Sequence, residues 1–266
     1  MPRALLTVLM LLAVLGTGWT SHAQELDPLT RQREGFRLRA GAGVETGFLD
    51  FRSDAVVLQA NLGEVPTTMV GIEGWISENA GFDATYQFGF LGELEVPLET
   101  QEGASSLAFV THRLEGAFHY RWFLGPEATS LSLGLRVGFL LNAFIPSPHT
   151  PTIVVSTTYA GPMIGGTLNV PILESIGVEV GVDGVYPYNV REFPDVSGKP
   201  RSPLGYGASV APWLQLTDSL YLKAKVDYRV FTVTYAGRGN RGLGNVTNGS
   251  SFDGFQSAQL IVDWIP

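Results

Sequence analysis

The stretch YLKAKVDYRVFTV, residues 221–233, alternates polar and apolar side chains with a period of two. Its charged residues stand at every second position, at Lys223, Lys225, Asp227 and Arg229. The apolar residues between them are Leu222, Ala224, Val226, Tyr228 and Val230. A period of two is that of a β-strand with one polar and one apolar face. A soluble sandwich would turn the charges outward, whereas a membrane barrel would turn them into its interior.

The start of the chain predicts export. Arg3 supplies a positive charge, residues 4–14 form a short apolar stretch, and Ser21 and Ala23 are small residues suited to cleavage. The apolar stretch is too short to cross a bilayer comfortably as an anchor helix. The predicted organisation is a signal peptide, a periplasmic leader and an outer-membrane barrel, at residues 1–23, 24–35 and 36–266.

Composition excludes several classes of protein. The 266 residues include 17 Lys and Arg against 25 Asp and Glu, and loss of Arg3 with the signal leaves a net charge of −9. Such an acidic chain is not expected to bind nucleic acid. The absence of cysteine excludes disulfides, a thiolate zinc site and a cysteine-linked lipid anchor. After the signal no apolar run approaches the length of a spanning helix, so any membrane crossing is made by strands.

Alternation of this kind recurs along the chain and predicts ten strands. Most of the segments reach the roughly nine to eleven residues that a tilted strand needs to cross a bilayer. They lie at about 36–48, 67–77, 81–91, 108–122, 129–142, 156–171, 175–187, 204–217, 219–235 and 250–264. If residues 55–63 and 153–159 were separate strands the number would be twelve, and eight is the smaller alternative. Both extra stretches keep the parity of their neighbours, which favours ten long strands that project above the membrane.

The predicted connections alternate between short and long. Four links of a few residues separate five longer ones, at about 49–66, 92–107, 143–155, 188–203 and 236–249. Outer-membrane barrels have short periplasmic turns, longer outer loops and an even number of strands. A soluble sandwich has no reason to keep that parity, so the all-β fold predicted here is an antiparallel up-and-down transmembrane barrel.

These features resemble the small outer-membrane β-barrel proteins of Gram-negative bacteria, the OmpA/OmpX/OmpW-like group. The resemblance is architectural and covers essentially the whole mature chain, ending in the strand FQSAQLIVDWIP. Leu260, Val262 and Trp264 share one face of that strand, which implies recognition by the barrel-assembly machinery. Ile265 and Pro266 depart from the family's aromatic terminal residue. The resemblance implies a protein of the outer membrane, surrounded by its lipid and lipopolysaccharide, and we expect a monomer.

Charges on the inferred inner face are balanced. Eight are basic and eight acidic, which predicts mutual pairing because an unpaired charge in a confined lumen is costly. A barrel of ten strands is too narrow to be a general diffusion porin and should be largely filled by these side chains. The predicted network consists of Arg37, Arg39, Glu45, Glu73, Asp83, Arg113, Glu115, Arg121, Arg136, Glu179, Asp183, Lys223, Lys225, Asp227, Arg229 and Asp263.

Two late outer loops carry a further cluster of cationic residues. Such residues are equally expected in ordinary solvated loops that bind nothing. Their guanidinium and ammonium groups suit the phosphates of lipopolysaccharide. The predicted contact residues are Arg191, Lys199, Arg201, Arg238 and Arg241.

Enzymatic activity is not expected. Residues 237–242 match a GxGxxG string but lie in a predicted loop, without the strand and helix that a dinucleotide site needs. No Asp-x-His or His-x-Ser string occurs, of the kind that an omptin-like protease or a lipid A deacylase would suggest. No catalytic residue, cofactor or metal site is predicted.

The expected function is that of a structural or narrowly conducting outer-membrane barrel with a salt-bridged lumen. One alternative is a surface enzyme or adhesin that acts through long outer loops. A second is a soluble periplasmic β-sandwich or lipocalin-like carrier.

Overall fold

The computed structural model describes residues 35–96, 105–125, 130–147, 154–241 and 245–266. The predicted signal peptide and nearly all of the leader lie outside these ranges, so both stay predictions. The described residues are almost entirely strand. The strands are β1 (Gly35–Arg52), β2 (Val57–Trp75), β3 (Ala80–Val96), β4 (Ser105–Phe123), β5 (Ser132–Pro146), β6 (Ser156–Leu173), β7 (Ile176–Val185), β8 (Asn189–Phe193), β9 (Lys199–Thr217), β10 (Leu220–Ala236), β11 (Arg238–Asn240), β12 (Asn245–Thr247) and β13 (Ser250–Trp264).

Ten strand positions close into one antiparallel barrel. Strands β1 to β6 pair in chain order, and β13 closes the wall between β10 and β1. Strands β7 and β8 share one position, since both pair with β6, while β11 and β12 form a separate small hairpin. The predicted fold with ten strands is therefore confirmed, and residues 57–63 and 156–159 of the stretches that would have raised the number to twelve belong to β2 and β6.

The predicted length of the first outer loop is wrong. Residues 49–66 were expected to be a long connection, but β1 and β2 stay paired as far as Arg52 and Val57. Only residues 53–56 turn between them. The hydrogen-bonded wall therefore continues well above the segment that a membrane would cover.

Three shifts of register lie in the upper part of the wall. One residue is inserted in β2 near Gly63, in β3 near Leu91 and in β9 near Ser202. Leu91 and Ser202 have positive φ angles of 57° and 46°. Because an inserted residue exchanges the two faces of a strand, the inward residues above each bulge have the opposite parity from those below it.

The outer surface of the barrel is apolar. On β4 the outward Leu114, Phe118 and Trp122 are 47%, 71% and 46% exposed. Val226 and Tyr228 of the 221–233 stretch also lie on this surface, whereas Val230 is buried. Aromatic pairs such as Phe48 with Phe252, whose ring centroids are 5.4 Å apart, mark its outer edge. A closed barrel with an apolar exterior and aromatic edges has the surface that a bilayer requires.

No helix among the described residues is long and apolar enough to span a membrane. The C-terminus and the short turns lie at one rim, which we take as the periplasmic rim by the rule for such barrels.

Candidate functional site

Inside the periplasmic half, five charged residues form a linked group of ion pairs. Arg39 contacts Glu73 and also lies 3.3 Å from Asp263. Lys223 joins Asp263 at 3.0 Å and Glu179 at 3.8 Å. The group therefore ties β1, β2, β7, β10 and β13 together across the lower lumen.

On the opposite wall, Arg136 connects the lower lumen with mid-height. Its guanidinium lies 2.8 Å from Asp83 and 4.0 Å from Glu115. His119 Nδ1 lies 3.6 Å from the same Asp83 carboxylate and stacks on Trp75.

A second layer of ion pairs crosses the lumen at mid-height. Arg113 lies 2.7 Å from Asp227 and 3.4 Å from Glu45. Arg229 lies 3.0 Å from Asp183 and 3.2 Å from Glu115. Most of these side chains are buried, so their charges are compensated within the barrel.

Neutral side chains that were not predicted complete this layer. Arg113 donates from Nε to Asn142, Gln87 donates to Glu45 over 2.8 Å, and the Ser257 hydroxyl donates to Asp227. Asn142, Gln87 and Ser257 all occupy inward positions of their strands. The alternation of inward and outward residues in the sequence could therefore have identified them.

Three predicted cations lie in the lumen outside the ion pairs described above. Arg37 lies 5.5 Å from the centre of the Tyr221 ring. Arg121 packs at 3.4 Å over Trp75 and donates from Nε to the carbonyl of Glu78. Lys225 makes no ion pair with any part of the chain that the structure describes. In the ion pairs described above, each of the eight predicted carboxylates contacts at least one of five cations.

A cavity of about 250 Å³ occupies the periplasmic half of the lumen. Its lining begins at Phe123 and Glu174, which lie at the periplasmic rim. It ends at mid-height, where Arg113 is the outermost β4 residue of the lining. The lower lumen is therefore a polar recess that opens towards the periplasm.

The outer half of the lumen is filled by an apolar core, which we call the apolar seal. It contains rings in close contact, such as Tyr159 stacked on Phe231 with centroids 4.3 Å apart. Every wall strand except β9 contributes to it. Its members are Leu49, Phe51, Leu58, Ala60, Leu62, Val65, Leu94, Leu107, Phe109, Leu140, Phe144, Val154, Tyr159, Met163, Val185, Phe231, Val233, Tyr235, Val246 and Phe255.

The bulges explain why this seal was not predicted. Above the shift in β2 the inward residues are Leu58, Ala60 and Leu62, whereas below it they are Val65, Thr67 and Met69. A polar lumen, largely filled by charged side chains, was expected. The structure limits it to the lower half, because the strand extensions turn their apolar faces inward.

Two carboxylates, one inside and one above the seal, are also paired. The Tyr159 hydroxyl donates to Asp253, an inward carboxylate that the predicted network omitted although its parity matches Asp263. Further out, Glu192 accepts from the Ser197 amide at 2.5 Å and from its hydroxyl at 2.8 Å.

The cations predicted to contact lipopolysaccharide divide into two groups. Arg191, Lys199, Arg201 and Arg238 are exposed. Arg241 is only 5% exposed: its guanidinium packs 3.8 Å over Phe51 and lies 3.1 Å from Ser197. The prediction is wrong for Arg241, because the small hairpin folds this side chain back onto the apolar seal.

The predicted assembly residues lie on the outer surface of β13. Leu260, Val262 and Trp264 are 55%, 40% and 48% exposed. They stand at the seam with β1 that closes the barrel, where Leu260 pairs with Ala42. Their recognition by the assembly machinery stays a prediction.

The described residues contain no group of three or more His, Cys, Asp or Glu side chains placed to hold a metal ion. The GxGxxG string lies partly in hairpin strand β11, so no helix follows it within its described part.

Comparison with solved structures identifies the fold. The outer-membrane protease OmpT from Escherichia coli aligns with a TM-score of 0.53 and 9% identity, covering 88% of this chain and 97% of OmpT. The fold is that of an outer-membrane β-barrel. The closed barrel with its apolar exterior is a fold suited to an outer membrane.

Other solved structures are more distant. The outer-membrane protein OprG from Pseudomonas aeruginosa has a TM-score of 0.40 and 8% identity, over 88% of this chain and 98% of its own. The translocator domain of the autotransporter NalP from Neisseria meningitidis has a TM-score of 0.38 and 14% identity, over 99% and 97%. No family model matches the sequence, and no curated protein matches it.

Proposed function

We propose that this protein is a non-catalytic structural barrel of the outer membrane whose lumen is closed in the resting state. The observation that carries the proposal is the apolar seal. It blocks the outer half of the lumen above a layer of ion pairs, so ions that enter from the periplasm meet first fixed charges and then a dry core. A narrow conductance would require the seal to open.

Packing supports a seal that is closed at rest. Phe231 and Leu140 are fully buried, and Phe231 stacks on Tyr159 and meets the edge of Phe255 with ring centroids 6.3 Å apart. Aromatic pairs of this kind add about 0.5–1.5 kcal/mol each beyond the burial of their area.

The fold likeness to OmpT, a protease, does not carry that activity to this chain. Within the described part of the upper wall, three carboxylates are bound to groups other than histidine. Asp50 bonds Arg52, Asp54 bonds Thr247, and Asp253 bonds Tyr159. A general acid or base held in this way lacks the partner that would activate a water molecule.

Single-channel recording in a planar bilayer tests the proposal. The wild-type protein should show little or no conductance. A double variant, Tyr159→Ala with Phe231→Ala, should show discrete openings because it removes the central ring stack of the seal.

Phe139→Ala is the matched control, since Phe139 is an aromatic residue on the outer surface, 41% exposed. It should remain as silent as the wild type. A large and steady wild-type conductance would refute the proposal.

A further inference from the structure

Above the apolar exterior, four polar residues form a row across the outside of the wall. Arg201 on β9 stands opposite Thr234 on β10, Thr234 opposite Ser250 on β13, and Ser250 opposite Arg52 on β1. Residues directly opposite each other in an antiparallel pair share a face. Thr234 lies between the buried Val233 and Tyr235, so the shared face of this row is the outer one.

The bulge in β9 is what brings Arg201 to that face. The insertion near Ser202 exchanges the two faces of β9, so Arg201 and Lys199 point outward although they are odd-numbered like the inward Ser209. The Thr234 hydroxyl donates to the carbonyl of Arg201 over 2.9 Å and holds this geometry.

The two arginines at the ends of the row differ in whether a carboxylate compensates their charge. Arg52 is bound by Asp50 through two hydrogen bonds of 2.9 Å. The Arg201 guanidinium and the Lys199 ammonium are exposed and make no hydrogen bond or ion pair with the residues that the structure describes. In a chain with a net charge of −8, this is a local positive site without a counter-charge.

A groove of about 330 Å³ lies along the row, lined by Arg52, Thr234 and Ser250 and by Asp50, the partner of Arg52. Arg201 lies at the β9 edge of this groove, next to the lining residue Ser202. Hydroxyl groups provide much of its lining, from Ser202, Thr232, Thr234 and Ser250. The two arginines are three strand spacings apart, about 14 Å. Hydroxyls between cations suit a ligand that carries sugar hydroxyls together with phosphate.

The height of the groove identifies the source of such a ligand. Its lower edge is Phe252, which packs on Phe48 at the outer aromatic edge of the barrel. Leu204, 52% exposed, lies beside Thr232 in the same row as Phe252. The polar row therefore lies at the level of the outer-leaflet head groups, and apolar side chains below it are placed to meet acyl chains.

We propose that this wall groove binds the phosphorylated sugar head group of an outer-leaflet glycolipid, the lipid part of lipopolysaccharide. Arg201 and Lys199 take a phosphate, the row of hydroxyls meets the sugar, and the outward apolar residues below contact the acyl chains. This site is on the outer wall and does not depend on whether the lumen conducts.

A binding titration with purified protein in detergent tests the site, using doubly phosphorylated lipid A and its fully dephosphorylated form as probes. The double variant Lys199→Gln with Arg201→Gln should bind the phosphorylated lipid at least about tenfold more weakly, the loss expected for hydrogen bonds to charged groups. Arg191→Gln is the control, because Arg191 is an exposed cation on β8 that bonds Asn189 and takes no part in the row.

A gel shift on boiling shows that each variant is folded before it is titrated. Inorganic phosphate alone should not displace the lipid at equal concentration. Unchanged binding by the double variant, equal binding of the phosphate-free lipid, or displacement by inorganic phosphate would each overturn the assignment.

Discussion

Arg113 on β4 donates from Nη1 to Asp227 on β10 over 2.7 Å, although 114 positions separate the two residues in the chain. Both side chains are about 5% exposed, and Arg113 also lies 3.4 Å from Glu45 on β1. One guanidinium therefore joins three strands at mid-height. Below the apolar seal, the described residues of the barrel form no apolar core, and cross-lumen contacts of this kind take its place.

Loss of this contact should destabilise the barrel. Asp227→Asn should lower the free energy of unfolding by about 3 kcal/mol, because it leaves Arg113 buried with an incomplete set of counter-charges. Urea unfolding in detergent, followed by tryptophan fluorescence, measures the change. The control is Asp50→Asn, whose partner Arg52 is 60% exposed, and its effect should stay below about 1 kcal/mol. Equal losses from the two variants would contradict the account.

The closing seam of the barrel should not tolerate a side chain at Gly43. A Cβ atom there would lie 2.0 Å from the carbonyl oxygen of Ala258 on β13, which is backbone and cannot move aside cheaply. Gly43→Ala should therefore prevent closure between β1 and β13, and the heat-dependent gel shift should disappear. Gly184→Ala is the control, since nothing lies within 4 Å of its added Cβ. A normal gel shift for Gly43→Ala would show that the seam is looser than described.

The small hairpin should be attached to the first outer turn in a pH-dependent way. The Thr247 hydroxyl and amide donate to Asp54, and these bonds hold the pKa of Asp54 below its ordinary 3.8. Because the carboxyl pKa of Asp54 is lowered in the folded protein, the attachment is complete at pH values above the ordinary pKa of 3.8. It is lost as the pH falls through the lower pKa of the folded state. The chemical shift of the Thr247 amide proton should follow this titration.

In Asp54→Asn the same amide proton should show no transition between pH 2 and 5, a range set by the ordinary carboxyl pKa. A midpoint above 3.8 in the wild type would contradict the described bonds.

Much of the wall could be predicted from sequence because strand alternation is local. The alternation in the 221–233 stretch shows which residues share a face, and the alternation of short and long connections indicates which face is inner. The ten strands and the inward positions of Arg113 and Asp227 follow from these two facts.

The upper half could not be predicted in the same way. A single inserted residue, such as that near Gly63, reverses the parity of everything above it, and nothing in the local pattern marks the insertion. Leu58 and Leu62 consequently read as one face of a projecting strand, whereas they belong to the apolar seal. Arg241 could not be placed either, because its contact with Phe51 joins residues that only the closed barrel brings together.

The direction in which the lumen opens is the central claim, and cysteine labelling tests it most directly. The chain contains no cysteine, so Ser209→Cys places a single thiol in the lining of the periplasmic cavity. Val57→Cys is the control on the outer side, since Val57 follows the first outer turn and is 62% exposed. A maleimide that cannot cross membranes should label Val57→Cys in intact cells and should label Ser209→Cys only after the periplasmic face has been exposed. Labelling of Ser209→Cys in intact cells would contradict a lumen that is sealed towards the outside.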